Sequence, residues 1–294
     1  MPTTVTLAGL VVAVSLVGIP HGGLDHWTGR RLLGNRFPRT WAMIFFPSYV
    51  AVALVVALGW WVIPLATVVA FSLVSAWHFG IEDEQVMGRS SVLNHLLAIA
   101  VGGLVIWIPV LTQPDRVGSL LGSIVPPELI LSTGTIVWTT RWIAAALLPL
   151  AVSAILRGLM THEHRGRAAR NLCFALMFLT ADVLVSFGIY FCGWHSIRGL
   201  RGLTTTHRRS LPQVLLATTP LSVAAIVLSV IGMWFWSSGQ FLSDAVARTL
   251  FIGLSAIAVP HLLLHGPISR WVGTSAGVST VGASSSSGNV EVAR

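Results

Sequence analysis

The chain has 294 residues, 54% hydrophobic and only 10% charged, and its net charge of +8 rests entirely on arginine because lysine is absent. A soluble domain carries about 25% charge, so this balance excludes an ordinary soluble enzyme. Arginines spaced between apolar runs read as inner-face membrane anchors and exclude a nucleic-acid patch. The mean hydropathy is +0.80, apolar runs near twenty residues recur, and the alternation of a membrane β-barrel is missing. The expected fold is therefore all-α: a polytopic transmembrane helical bundle in the cell (inner or plasma) membrane. Cys173 and Cys192 both lie in apolar runs and give neither a disulfide framework nor a zinc spacing.

The first segment covers 5–20. It has no basic start and ends in Pro20-His21-Gly22-Gly23, so it reads as a retained span and not as a cleaved signal. The loop 21–40 carries Arg30, Arg31, Arg36 and Arg39. Segment two covers 41–63, and Pro64 opens segment three, 65–80. An acidic loop with Glu82, Asp83 and Glu84 leads to segment four, 91–111. Proline-rich 112–129 holds a single arginine, Arg116. Segment five, 130–155, runs into a basic loop with Arg157, His162, His164, Arg165, Arg167 and Arg170. The next stretch, 171–199, would be about 43 Å long as one helix, too long for a core of about 30 Å. Asp182 in its middle is a good helix N-cap, which predicts two segments with a reversal there. The last two segments are 211–236 and 241–264. The Ser/Gly-rich tail 273–294 is expected to be disordered behind a single membrane domain, 1–272.

Charge distribution separates the two segment counts. With eight spans, the basic loops 157–170 and 198–209 fall on opposite sides. With nine segments every arginine-rich loop falls on one side, as the positive-inside rule favours. Nine segments also bring His21, His78, His195 and His261 to a similar depth near the cytoplasmic face. The expectation is eight to nine segments, with nine preferred.

Polar side chains at membrane depth are costly and usually face a cavity, a partner or a metal. A lone interfacial histidine is most often a hydrogen-bonding residue, but four at one depth form a constellation. Imidazole is a ligand for iron, zinc, copper and nickel, and an all-imidazole site in an apolar bundle suits O₂ chemistry on an apolar substrate. Asp25 and Glu82 are candidates to orient the imidazoles; Asp83 and Glu84 read as solvated loop residues. His26 and His265 follow His21 and His261 by five and four positions and are alternative ligands. His95, beside Asn94, reads as a helix–helix hydrogen bond, and His162, His164 and His207 as loop residues. Trp77, Phe187, Tyr190, Phe191 and Trp194 fit either an interfacial aromatic belt or a slot for a long flat hydrocarbon.

Four motifs, Pro20-His21-Gly22-Gly23-Leu24-Asp25-His26, Trp77-His78-Phe79-Gly80, Tyr190-Phe191-Cys192-Gly193-Trp194-His195-Ser196-Ile197-Arg198 and Pro260-His261-Leu262-Leu263-Leu264, give the chain its resemblance. In order and approximate spacing they resemble the Brp/Blh family, membrane β-carotene 15,15′-dioxygenases that supply retinal to microbial rhodopsins. The resemblance implies O₂-dependent cleavage of the central double bond of β-carotene to two retinal molecules. It also implies Fe(2+) held by His21, His78 and His195, with His261 a further candidate. Two departures stand out. The family motif His-Ser-x-Arg-His ends here in Gly199, which implies a missing ligand or supporting imidazole; Gly199→His is then expected to strengthen a weakened enzyme, or to crowd the site of a binder that has repacked around the gap. A family proline pair is replaced by Ala181-Asp182. The rival readings are a carotenoid- or retinal-binding relative without turnover, and a membrane di-iron desaturase or hydroxylase. The di-iron class typically includes adjacent histidines, which this chain lacks.

Overall fold

The computed structural model describes residues 4–84, 92–129, 131–236 and 242–265, and every regular element among them is helical. The tail expected to be disordered lies outside these residues. The first run comprises α1 (Thr4–Ala13), a π turn (Val14–Gly18), α2 (Ile19–Gly22) and α3 (Asp25–Leu33). Then come α4 (Trp41–Val62), α5 (Pro64–Glu84), α6 (Val92–Gly102), α7 (Leu104–Thr112), α8 (Pro114–Ile124), α9 (Leu131–Met160) and α10 (Arg165–Thr180). The chain continues through α11 (Val183–Gly188), a π run (Ile189–Ser196), α12 (Ile197–His207), α13 (Leu211–Trp236) and α14 (Leu242–Leu263).

Among the described residues, six helical runs are long and apolar enough to cross a membrane: Val5–Leu33, Trp41–Val62, Pro64–Glu82, Thr133–Met160, Leu211–Trp234 and Asp244–Leu263. The α6–α7 pair, bent by 55°, makes a seventh if counted as one span. This is fewer than the eight to nine segments expected. The shortfall has local causes. Segment four is broken at Gly103, where the Trp107 indole N–H turns back to donate to the Ile99 carbonyl at 3.1 Å. Helix α10 has 16 residues, about 24 Å of rise, short of a full hydrocarbon core. The run through α11 and α12 is π-wound at its centre and carries Arg198 and Arg201.

The break expected at Asp182 is present and needs no proline. Asp182 caps α11 by accepting from the Leu184 N–H at 2.9 Å, and it pairs with Arg116 at 3.0 Å. Gln113 bridges the gap: its amide donates to the Ala181 carbonyl at 2.9 Å and its oxygen accepts from the Val183 N–H at 3.2 Å. Both helix ends thereby have partners for groups that would otherwise be orphaned. The Ser186 hydroxyl donates to the Met177 carbonyl at 3.3 Å. In a continuous helix those residues would stand about 13 Å apart along the axis, so the chain folds back on itself here.

Two helices organise the bundle. Helix α14 packs on α1, α4, α5, α8 and α13, and α9 on α5, α6, α7, α8 and α10. The α5–α6 contact is close because a Cβ at Gly80 or Gly102 would run into the facing backbone, the small-residue packing common between membrane helices. Gly80 lies two residues from His78, so this contact also sets the position of that imidazole. The reversal at Asp182 generates a prediction. Arg165→Cys and Ser210→Cys, at the two ends of the folded-back pair, should be labelled by an impermeant thiol reagent from the same side of the membrane. Labelling from opposite sides would contradict the fold.

Candidate metal centre

Three of the four histidines sit at disturbed helix. The π turn Val14–Gly18 immediately precedes the short helix that carries His21. His195 lies inside the π run Ile189–Ser196. The chain is again π-wound at 264–265, just after His261. A π turn shifts side chains around the axis relative to a regular helix and is frequent at functional sites. His78 projects from regular α5. Together the four rings close a cycle: His21 to His195 at 5.0 Å, His195 to His78 at 5.4 Å, His78 to His261 at 5.6 Å and His261 to His21 at 5.0 Å between centroids.

Donor atoms of His21, His78 and His261 lie within 4.8 Å of one another, close enough to share a metal ion. Both ring nitrogens of His21 and Nε2 of His78 are buried with no hydrogen-bond partner. A buried polar atom left unpaired costs about 1–3 kcal/mol. Three of them at one place fit a donor set that binds an ion, and an all-nitrogen set suits iron, copper, nickel or zinc.

Asp25, only 4% exposed, organises one side of the cluster. Its carboxylate accepts from His261 Nδ1 at 2.8 Å, His265 Nε2 at 3.0 Å and the Tyr49 hydroxyl at 2.8 Å. A proton on His261 Nδ1 leaves Nε2 with its lone pair available, and the carboxylate on that proton holds the ring in the orientation a metal-binding imidazole needs. Asp25 and Tyr49 thereby act through His261. Donors of Asp25, His261 and His265 also lie within 4.8 Å of one another, but their separations of 2.8–3.0 Å are those of hydrogen bonds. Burial alone lowers the pKa of His265; the Asp25 hydrogen bond and charge, with Glu82, outweigh it and raise the pKa overall.

The cluster opens into a cavity of about 950 Å³, at the upper end of small-molecule sites. No Asp, Glu, Lys or Arg lines it. On the first run the lining extends from Leu7 to Gly22, on α5 from Phe71 to Phe79, on the α11–π run from Val183 to His195, and on α14 from Leu242 to Leu262. On each, the histidine is the last or next-to-last lining position, so the four imidazoles form the floor of one end.

Of the residues singled out from sequence, His21, His78, His195 and His261 meet at this floor. Phe187 and Phe191 line the cavity in a stack with centroids 5.3 Å apart. Trp77, Tyr190 and Trp194 do not line it, which corrects that part of the expected slot. Phe187, Phe191 and His195 recur every four residues and share one face, whereas Tyr190 and Trp194 line a separate small cleft and Trp77 donates to His95 at 3.0 Å. His265 joins the Asp25 network. His26 packs edge-on against Trp27, His207 does the same at 4.7 Å, and His162 and His164 are exposed. Glu82 is exposed and touches the cluster only through its charge on His265. Tyr49 belongs to the Asp25 network although no sequence motif marks it. Its signal was available: it is one of only two tyrosines, and a phenol inside an apolar run needs a partner.

Gly199 requires a second correction. A Cβ there would overlap the His21 ring. The glycine is the space that His21 fills, and an imidazole at 199 would displace a neighbour already at the centre.

Fold and site together define a helical membrane protein built around a buried histidine cluster able to hold a metal ion. The chain belongs to the beta-carotene 15,15'-dioxygenase family, whose sequence profile matches residues 12–267. It is similar to the Beta-carotene 15,15'-dioxygenase of uncultured marine bacterium 66A03, with 29% identity over 87% of this chain and 92% of that protein. It is also similar to the Probable beta-carotene 15,15'-dioxygenase Blh of Halobacterium salinarum, with 21% identity over 88% of this chain and 83% of that protein. These identities mark a divergent member. No solved structure matches it.

Two predictions come from this geometry. Asp25→Asn should weaken metal retention about 10–100-fold, the usual cost of losing such a partner, measured as metal content after titration with a chelator. Gly199→Ala and Gly199→His should both lower metal content because His21 must move; an increase with histidine would show that position 199 has room for a ligand.

Proposed function

We propose that this chain cleaves the central 15,15′ double bond of β-carotene with O₂, giving two molecules of retinal, at a non-haem Fe(2+) held by His21, His78, His195 and His261. One atom of O₂ ends in each new aldehyde, so the reaction balances without a further reductant. The observation that carries the reading is the closed cycle of four imidazoles at the floor of a large cavity with no charged lining. Membership of a family whose named relatives are β-carotene dioxygenases supports the substrate. Bound iron would supply the oxygen chemistry. The protein's own residues have three tasks. Asp25 holds His261 in one tautomer, the cavity wall keeps bulk water from the polyene, and stacked Phe187 and Phe191 offer a flat surface to a conjugated chain.

The same reading places the protein in the cell membrane as a multi-pass bundle. Counting α10 and the α11–α12 run as inserted segments beside the six or seven long spans brings the total to eight or nine. Its product would serve a retinal-binding partner such as a microbial rhodopsin. One observation favours a di-iron alternative, the second donor group Asp25, His261 and His265, but its hydrogen-bond distances weigh against it.

Expression in cells that make β-carotene, followed by extraction and chromatography, tests the assignment. Retinal should accumulate with the wild type and be lost in His78→Ala along with bound iron, while His162→Ala, altered at an exposed site, should change neither. Purified wild type should hold about one iron per chain, the stoichiometry of a single imidazole site. Two irons would favour the di-iron enzyme, none a carotenoid-binding protein, and unequal polyene fragments would overturn central cleavage.

A further inference from the structure

The cavity is not sealed on its membrane side. Most lining residues are buried or half-buried, but Val12 on α1 is 56% exposed, Val230 on α13 is 54% exposed and Leu242 at the start of α14 is 64% exposed. Such residues line the cavity and face outward at once, so they mark where it reaches the lipid-facing surface.

The opening lies along the seam between the first run and α13. These two are joined at the inner end, where α2 packs on α13 and Gly23 approaches Thr218 so closely that a Cβ would overlap it. Further out, α1 packs on α11 and α14, and α13 on α14, but α1 and α13 are not among the closely packed pairs of the described residues. Helical rise places the two exposed valines at one height. Val12 is eleven residues before Gly23, about 16 Å, and Val230 is twelve after Thr218, about 18 Å. The two valines therefore flank an open outer half of a seam whose inner half is closed. From Val12 to His21 is nine residues, about 13 Å down the same run.

We propose that the outer half of the α1–α13 seam is a lateral portal, through which an apolar polyene dissolved in the bilayer passes to the histidine floor without crossing water. The proposal rests on the functional reading above for its substrate class. The occupant follows from the surfaces on the path: the portal residues are aliphatic, no charged side chain lines the cavity, and Val12 and Val230 lie within two helical runs long and apolar enough to cross a membrane. A charged or water-borne ligand would gain nothing from this route.

The test measures access separately from chemistry. Purified protein, kept free of O₂ so that no cleavage occurs, is mixed with detergent micelles carrying β-carotene, and uptake is followed by quenching of tryptophan fluorescence. The Val12→Phe/Val230→Phe double variant should take up carotenoid about tenfold more slowly than wild type, equivalent to about 1.4 kcal/mol of added barrier. Leu228→Phe, on the same helix at a lipid-facing position outside the cavity lining, should match wild type. The Val12→Ala/Val230→Ala variant guards against misfolding by the bulkier pair and should take up carotenoid at least as fast as wild type. Equal rates in the phenylalanine pair and wild type, slower uptake in the alanine pair, or no uptake by wild type would each overturn the portal. Normal uptake by a wild type that forms no retinal once O₂ is admitted would overturn the functional reading and leave the portal standing.

Discussion

The hydrogen bond between Asp25 and His261 joins residues 236 positions apart, and much of the centre depends on it. It ties the first run of the bundle to the last helix, and through Tyr49 it includes α4 as well. A carboxylate this deep is costly unless its oxygens are satisfied; here it accepts from three donors. The network fixes the ring orientation of His261 and so the height at which α14 presents it to His21 and His78. Helix α14 has other directional ties, from Trp60 to Ser255 and between Ser123 and both Asp244 and Arg248, but none of these touches the His261 ring.

The cluster also depends on departures from regular helix. In an ideal α-helix a fixed residue spacing fixes a fixed face. The π turns before His21 and through His195 change that phase, letting rings from adjacent elements converge while Tyr190 and Trp194 turn into a separate cleft. The same logic explains Gly199. On an isolated helix it lies one turn beyond His195 and reads as a vacancy on the ligand face. In the folded bundle that space belongs to a side chain from another element, and the glycine makes the close approach possible.

The break at Ala181-Asp182 shows one structural task met by different chemistry. A reversal inside a helical bundle exposes helix-end carbonyls and N–H groups that need partners. Gln113, Asp182 and Arg116 meet that need with side chains. The reversal also separates a short buttress, α10, from the run that carries His195, and this leaves fewer full-length spans than the apolar runs suggest.

Sequence by itself determined the solvent class, the helical fold, the reversal at Asp182 and the identity of the histidines set at apolar depth. Composition, run length, cap chemistry and local motifs are all encoded within a few neighbouring residues. Tertiary structure alone decided that the four histidines share one floor, that Asp25 and Tyr49 serve His261, and that Gly199 is occupied by its neighbour. It also decided which aromatic residues face the cavity. Those properties depend on contacts between residues far apart in the chain and on helix phase, which a π turn shifts without any mark in the hydropathy pattern.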